Sequence, residues 1–146
     1  MNDNITTPDW GIAFSGHPLS TDLDVEKELL GATIKSIDGA KRGSCVILLE
    51  TDRGFYVFQH HQDCCESVSI EDVCGDVQDL IGSPLTMAEE VCGGTPEGWE
   101  PDEYCDSYTW TFYKFATVRG YVTIRWYGES NGYYSEGVSL DKISKL

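Results

Sequence analysis

Seven consecutive residues, His60-His61-Gln62-Asp63-Cys64-Cys65-Glu66, form the densest set of reactive side chains in the chain. Imidazole, carboxylate and thiol groups ligate metals and move protons, so three roles stand open here: a metal centre, a nucleophile, and structure or ligand contact. Zinc takes nitrogen and sulfur ligands in a tetrahedron, for which His60, Asp63 and Cys64 are the candidates. Adjacent histidines and adjacent cysteines suit it poorly, because neighbours on a strand face opposite ways. A nucleophilic cysteine needs a depressed thiol pKa, and the surrounding acids oppose that. Structurally, one histidine and one cysteine would be buried at a strand end while the others hydrogen-bond a turn.

A second candidate site comes from strand periodicity in the C-terminal third. Residues 109–117 and 121–127 read as β-strands; with Arg119-Gly120 as a two-residue turn, Val118 pairs with Tyr121, Lys114 with Arg125 and Tyr113 with Trp126. One face then carries Tyr113, Phe115, Val122, Ile124 and Trp126, a core layer. The other carries Trp110, Phe112, Lys114, Tyr121, Thr123, Arg125 and Tyr127. Two opposed cations repel unless an anion lies between them. Arginine grips phosphate through paired N–H bonds, and aromatic rings stack on bases. Lys114 and Arg125 flanked by Trp110, Phe112, Tyr121 and Tyr127 therefore predict a pocket for a nucleotide-like or phosphorylated molecule. His60, His61, Asp63 and Glu66 would read its hydroxyls or base edge where the strand over 55–61 runs alongside. The bland alternative is that acids such as Glu136 neutralise the pair while the rings cover a second layer.

The elements that must position these groups follow from caps, turns and alternation. Asp22 or Thr21 caps a short helix over 23–30, stopped by Gly31. A strand near 32–37 precedes a hairpin, 44–51 and 55–61, turning at Asp52-Arg53-Gly54. Residues 67–81 are ambiguous, with Asp76 capping one turn over 77–81; 85–91 reads as a strand. The segment 93–107, rich in Gly, Pro and acids, reads as a mobile acidic loop. Residues 133–140 form the last strand, joined by a hairpin at Asn131-Gly132. The fold class expected is α+β: one domain over 1–146, an antiparallel meander with one or two short helices. Residues 1–19 form an irregular arm anchored by Trp10 and Phe14.

The chain has 146 residues, 40% of them hydrophobic, enough for a core in a single domain. Its formal charge of −15 repels nucleic acid and anionic membranes, so neither is expected as a direct partner. A plain solvated surface, a nucleic-acid mimic and a partner for a basic protein all fit that charge. No apolar run reaches the roughly 20 residues of a membrane span, and the N-terminus lacks a signal-peptide pattern. A cytoplasmic location follows, and with it reduced thiols at all six cysteines. Cys45 then reads as a small core residue. Phosphate-cradling glycine motifs, a Ser-His-Asp signature and a calcium loop are all missing.

Gln62-Asp63-Cys64-Cys65-Glu66-Ser67-Val68, Leu80-Ile81-Gly82-Ser83-Pro84 and Ala88-Glu89-Glu90 resemble phrases of a family of small uncharacterised phage and bacterial proteins. So do Trp110-Thr111-Phe112-Tyr113-Lys114-Phe115-Ala116-Thr117 and Gly120-Tyr121-Val122-Thr123-Ile124-Arg125-Trp126-Tyr127-Gly128. The resemblance covers about 55–136 and implies a viral or mobile-element setting, in which small acidic proteins often interfere with host defence. The reading is a non-enzymatic binder that sequesters a nucleotide-derived signal, with no cofactor and with a homo-oligomer allowed. The alternatives are an acidic inhibitor or nucleic-acid mimic acting on a host defence protein, and a metal-dependent hydrolase centred on His60–Glu66.

Overall fold

Alternation with a period of two runs through most of the chain, and it builds strands. The computed structural model describes residues 19–144; the expected arm over 1–19 lies outside them but for Leu19. In order come helix α1 (Val25–Leu29), β1 (Ile34–Asp38), β2 (Val46–Thr51), β3 (Gly54–Gln59), β4 (Ser67–Cys74) and a 3-10 turn (Val77–Leu80). Then follow β5 (Met87–Cys92), β6 (Ser107–Thr117), β7 (Gly120–Ser130) and β8 (Ser139–Ile143). The strands form two four-stranded antiparallel sheets, ordered β1-β2-β3-β8 and β4-β7-β6-β5.

The inward faces of the two sheets share one core. Ile47, Leu49, Tyr56, Phe58 and Leu140 come from the first sheet; Ile70, Tyr113, Phe115, Val122, Ile124 and Trp126 come from the second. Phe58 joins them, its ring 4.6 Å from that of Tyr113 and 6.1 Å from that of Phe115. Val25 and Leu29 of α1 enter the same cluster, as do Leu80 and Leu85. On the outward face of the first sheet, Val46, Leu48, Val57 and Ile143 form a second, smaller apolar cluster.

Local signals worked where the partner lies close in sequence. The β2–β3 hairpin turns at Asp52-Arg53, and Gly54 takes a φ of +123°. Asp76 caps its 3-10 turn by accepting from the Gln78 N–H. Helix α1 is shorter than expected and is capped by Asp24, whose carboxylate accepts from the Lys27 N–H. Three expectations need correcting. The architecture is mostly antiparallel β rather than α+β, because the ambiguous 67–74 stretch is a strand burying Val68 and Ile70. The C-terminal meander is broken: Asn131-Gly132 makes a local turn, and β8 then crosses to pair with β3 in the other sheet. Cys45 is exposed, not part of the core. Among the described residues no helix is long and apolar enough to cross a membrane.

Candidate functional site

The outward face of the second sheet carries the residues singled out by alternation, but their register differs. Thr117 pairs with Gly120, so the turn is Val118-Arg119, and Lys114 lies opposite Thr123 while Arg125 lies opposite Phe112. The expected Lys114–Arg125 pairing is thereby corrected, although both faces keep the predicted residues. Gly120 begins β7 instead of closing the turn. A Cβ there would come within 2.6 Å of the Asp79 carboxylate, which explains the glycine. Arg125 is directly opposite Asp72 of β4 and donates to both of its carboxylate oxygens, from Nε at 2.6 Å and from a terminal nitrogen. The guanidinium holds the Asp72 carboxyl below its usual range, and Asp72 raises Arg125 in return. Lys114 lies opposite Glu89 of β5. The carboxylate that pairs with a cation on this face is thus Asp72, not Glu136, which binds Thr109 and Ser130.

The aromatic end of the same face holds a cavity. Trp110 of β6 pairs with Tyr127 of β7, their ring centroids 4.9 Å apart. The acidic loop, expected to be mobile, lays Trp99 across them. Its ring sits edge-on, 5.3 Å from Trp110, 5.4 Å from Tyr127 and 4.8 Å from Tyr108. Edge-to-face pairs of this kind are worth about 0.5–1.5 kcal/mol each, so Trp99 is a real anchor. Beside it opens a cavity of about 320 Å³ lined by these three rings (Trp99, Trp110, Tyr127) with Glu71, Glu100, Asp102 and Glu129. Glu71 sits at the β4 bulge between Ile70 and Asp72, where one extra residue re-aims side chains. Arg42 approaches Glu71 at 3.6 Å, an exposed pair of the kind that contributes little. Trp110 is buried, and its indole Nε1 has no hydrogen-bond partner. Phe112 stacks on Trp110 farther along the strand, and Tyr121 is exposed at the opposite end of β7.

The His60–Glu66 cluster is placed elsewhere, because β3 belongs to the other sheet and does not run beside Lys114 and Arg125. Glu66 is the hub of its turn. Its carboxylate accepts from the Asp63 N–H at 2.8 Å, the Cys64 N–H at 2.9 Å and His60 Nε2 at 2.7 Å. His60 Nδ1 lies 2.7 Å from the Gly137 carbonyl, so both ring nitrogens face acceptors. Burial pushes the Glu66 carboxyl up, but the Asp63 N–H, His60 and the Cys64 N–H outweigh it and lower it to about 2.

Because that folded value lies below the ordinary 4.5, Glu66 stabilises the fold above about pH 4.5 and ceases to as pH falls toward 2. Glu66→Gln is expected to be less stable than the parent at neutral pH, and to lose less stability between pH 4.5 and 2. Acid unfolding followed by far-UV circular dichroism checks this; parallel curves for the two proteins would contradict it.

His61 takes a different partner, its Nε2 2.9 Å from Asp141, a fully buried carboxylate. Asp141 also accepts from Gln59 Nε2 at 3.1 Å and Ser139 Oγ at 2.5 Å. His60, His61 and Asp63 line a separate cavity of about 320 Å³ with Thr21, Asp22 and Ser135. The zinc alternative on His60, Asp63 and Cys64 fails on geometry. Both His60 nitrogens are engaged, and Cys64 is bonded to Cys65, which also corrects the expectation of six free thiols. Among the described residues no group of three or more His, Cys, Asp or Glu is placed to hold a metal ion.

Of the expected ligand residues, the structure brings Trp110 and Tyr127 together, gives Arg125 to Asp72, and commits His60 and Glu66 to a turn. Sequence reasoning missed Glu71 and Glu129, and had Trp99, Glu100 and Asp102 only as part of the acidic loop, whose stretch 95–106 was the expected contact of the inhibitor alternative. A lone tryptophan inside a Gly-, Pro- and acid-rich loop was the available signal, since such a side chain seldom stays in water. The model of a domain of unknown function, DUF7448, matches residues 27–140, and the chain belongs to that family. A search of curated proteins and a search of solved structures found no match.

Proposed function

For this member of the family we propose binding of a cationic group, an arginine or lysine side chain on a basic polypeptide partner, at the cavity of Trp99, Trp110 and Tyr127. The observation that carries the reading is the lining itself: three aromatic rings and four carboxylates, with no basic residue in the lining and the exposed Arg42 approaching one of the four, Glu71. Aromatic faces attract cations by about 0.5–2 kcal/mol, more when water is excluded. The carboxylates add attraction at the rim, and the net charge of −15 steers a basic partner toward the surface. The nucleotide reading draws less support: Arg125 already holds Asp72, and the same carboxylates repel phosphate. The resemblance to phage and bacterial proteins makes a basic host defence protein, in the bacterial cytoplasm, the partner class to try first.

Tryptophan emission of the purified chain is the readout, titrated with a short arginine-rich peptide and, separately, with cyclic and linear nucleotides. The peptide is expected to give a saturable change that weakens about tenfold as salt rises from low to several hundred millimolar. Glu100→Gln/Asp102→Asn is expected to weaken it further. Glu26→Gln/Asp38→Asn, which removes exposed acids outside the cavity, is expected to leave it close to the parent. Equal effects of both pairs would reduce the binding to nonspecific charge attraction. A nucleotide response without a peptide response would overturn the reading.

A further inference from the structure

We propose that Cys105 exchanges with the Cys64–Cys65 disulfide, giving a Cys65–Cys105 bond and a free Cys64 thiol. The geometry adjoins the cation cavity, sharing Glu129 with it and meeting Tyr127 through Cys105, but does not depend on what that cavity binds. Cys64 and Cys65 are bonded to each other, and Cys105 is a free, half-buried thiol. Cys65 and Cys105 line one cavity of about 250 Å³, together with Glu66, Glu129 and Tyr134. The other free cysteines, Cys45, Cys74 and Cys92, are exposed and lie outside it. Cys105 is held in place, its Sγ 3.5 Å from the Ser107 carbonyl oxygen and 3.8 Å from the Tyr127 hydroxyl.

A structural role explains the Cys64–Cys65 bond poorly. Disulfides stabilise chiefly by closing long loops in the unfolded chain, and neighbouring residues enclose none. The turn is already held by Glu66, which accepts from the Asp63 and Cys64 N–H groups, and by Gln62, which donates to the Cys64 and Glu66 carbonyls. Exchange, by contrast, requires only a thiolate with access to one sulfur of the bond. The Cys105 thiolate forms a bond to Cys65 Sγ, the Cys64–Cys65 bond breaks, and Cys64 leaves as thiolate and takes up the proton that Cys105 gave to solvent. No electrons are gained or lost, so no outside oxidant or reductant is needed. The product ties the end of the loop that carries Trp99 to the turn that holds His60. Exchange would then couple both sites through one bond.

The test uses the full chain with Cys45, Cys74 and Cys92 replaced by serine, its fold checked by circular dichroism. Iodoacetamide is added to the native protein at pH 8, and fragments are mapped without reduction after digestion with a glutamyl endopeptidase, which cuts after Glu66 and Glu103. The expected result is label on both Cys64 and Cys105, together with a fragment pair linked through Cys65 and Cys105. Adding Cys64→Ser and treating with diamide is expected to give that linked pair as the main product. Label confined to Cys105 with Cys64–Cys65 intact after hours would overturn the proposal. So would a folded Cys64→Ser protein in which diamide leaves Cys65 and Cys105 unlinked.

Discussion

Phe58→Ala is expected to lower the free energy of unfolding by about 3–5 kcal/mol, the usual cost of emptying a buried phenylalanine site. Phe58 is 1% exposed and touches Tyr113 and Phe115 across the gap between the sheets. Its removal therefore withdraws apolar burial and two inter-sheet ring contacts at once. Ordinary domains have only about 5–15 kcal/mol in total, so the variant would lie near the edge of folding. Urea unfolding provides the measurement, with the midpoint falling and the slope unchanged. Val118→Ala, at the exposed β6–β7 turn, is the control and is expected to stay within about 0.5 kcal/mol of the parent. A loss below about 1 kcal/mol at Phe58 would mean that the two sheets do not share one core.

The strands facing Phe58 show what local pattern can and cannot reveal. Alternation in 109–117 and 121–127 put Tyr113, Phe115 and Trp126 on the inward face, where they lie, because the period of a strand depends on each residue alone. Register does not. A slip of two residues leaves both faces intact while changing every partner, and that slip moved Lys114 from Arg125 to Thr123. The partner that settles Arg125 is Asp72, 53 residues away, beyond any signal in the neighbouring sequence. The same limit hid the crossing of β8, since Asn131-Gly132 specifies a turn but not the sheet that follows it. Asp141 was visible in principle: alternation in 139–143 puts it on the face that carries Ile143. A carboxylate there needs donors, which Gln59, Ser139 and His61 provide from other parts of the fold. The His60–Glu66 run was legible as a cluster of polar chemistry, yet its hydrogen bonds serve the turn, as the structural alternative anticipated, although Cys64 and Cys65 are both exposed where one buried cysteine was expected.

Trp99→Ala separates the two ligand classes by the sign of its effect. Where Trp99 is a wall of a cation cavity, its loss removes one aromatic face, worth roughly 1–2 kcal/mol, and peptide affinity falls about 5- to 30-fold. Where Trp99 is instead a cover over a stacking platform, its loss bares Trp110, Tyr127 and Tyr108, and a planar nucleotide binds better. The carboxylates around those rings favour the first outcome, because they remain after the substitution and still repel phosphate. The fold should survive, since the loop rests on the outward face and Phe58, Tyr113 and Trp126 lie on the other side of the sheet. Calorimetric titration of the parent and variant with the arginine-rich peptide and with a cyclic dinucleotide gives the answer directly. Weaker peptide binding without any gain for the dinucleotide is the expected result, and the reverse pair of changes would move the function to the nucleotide class.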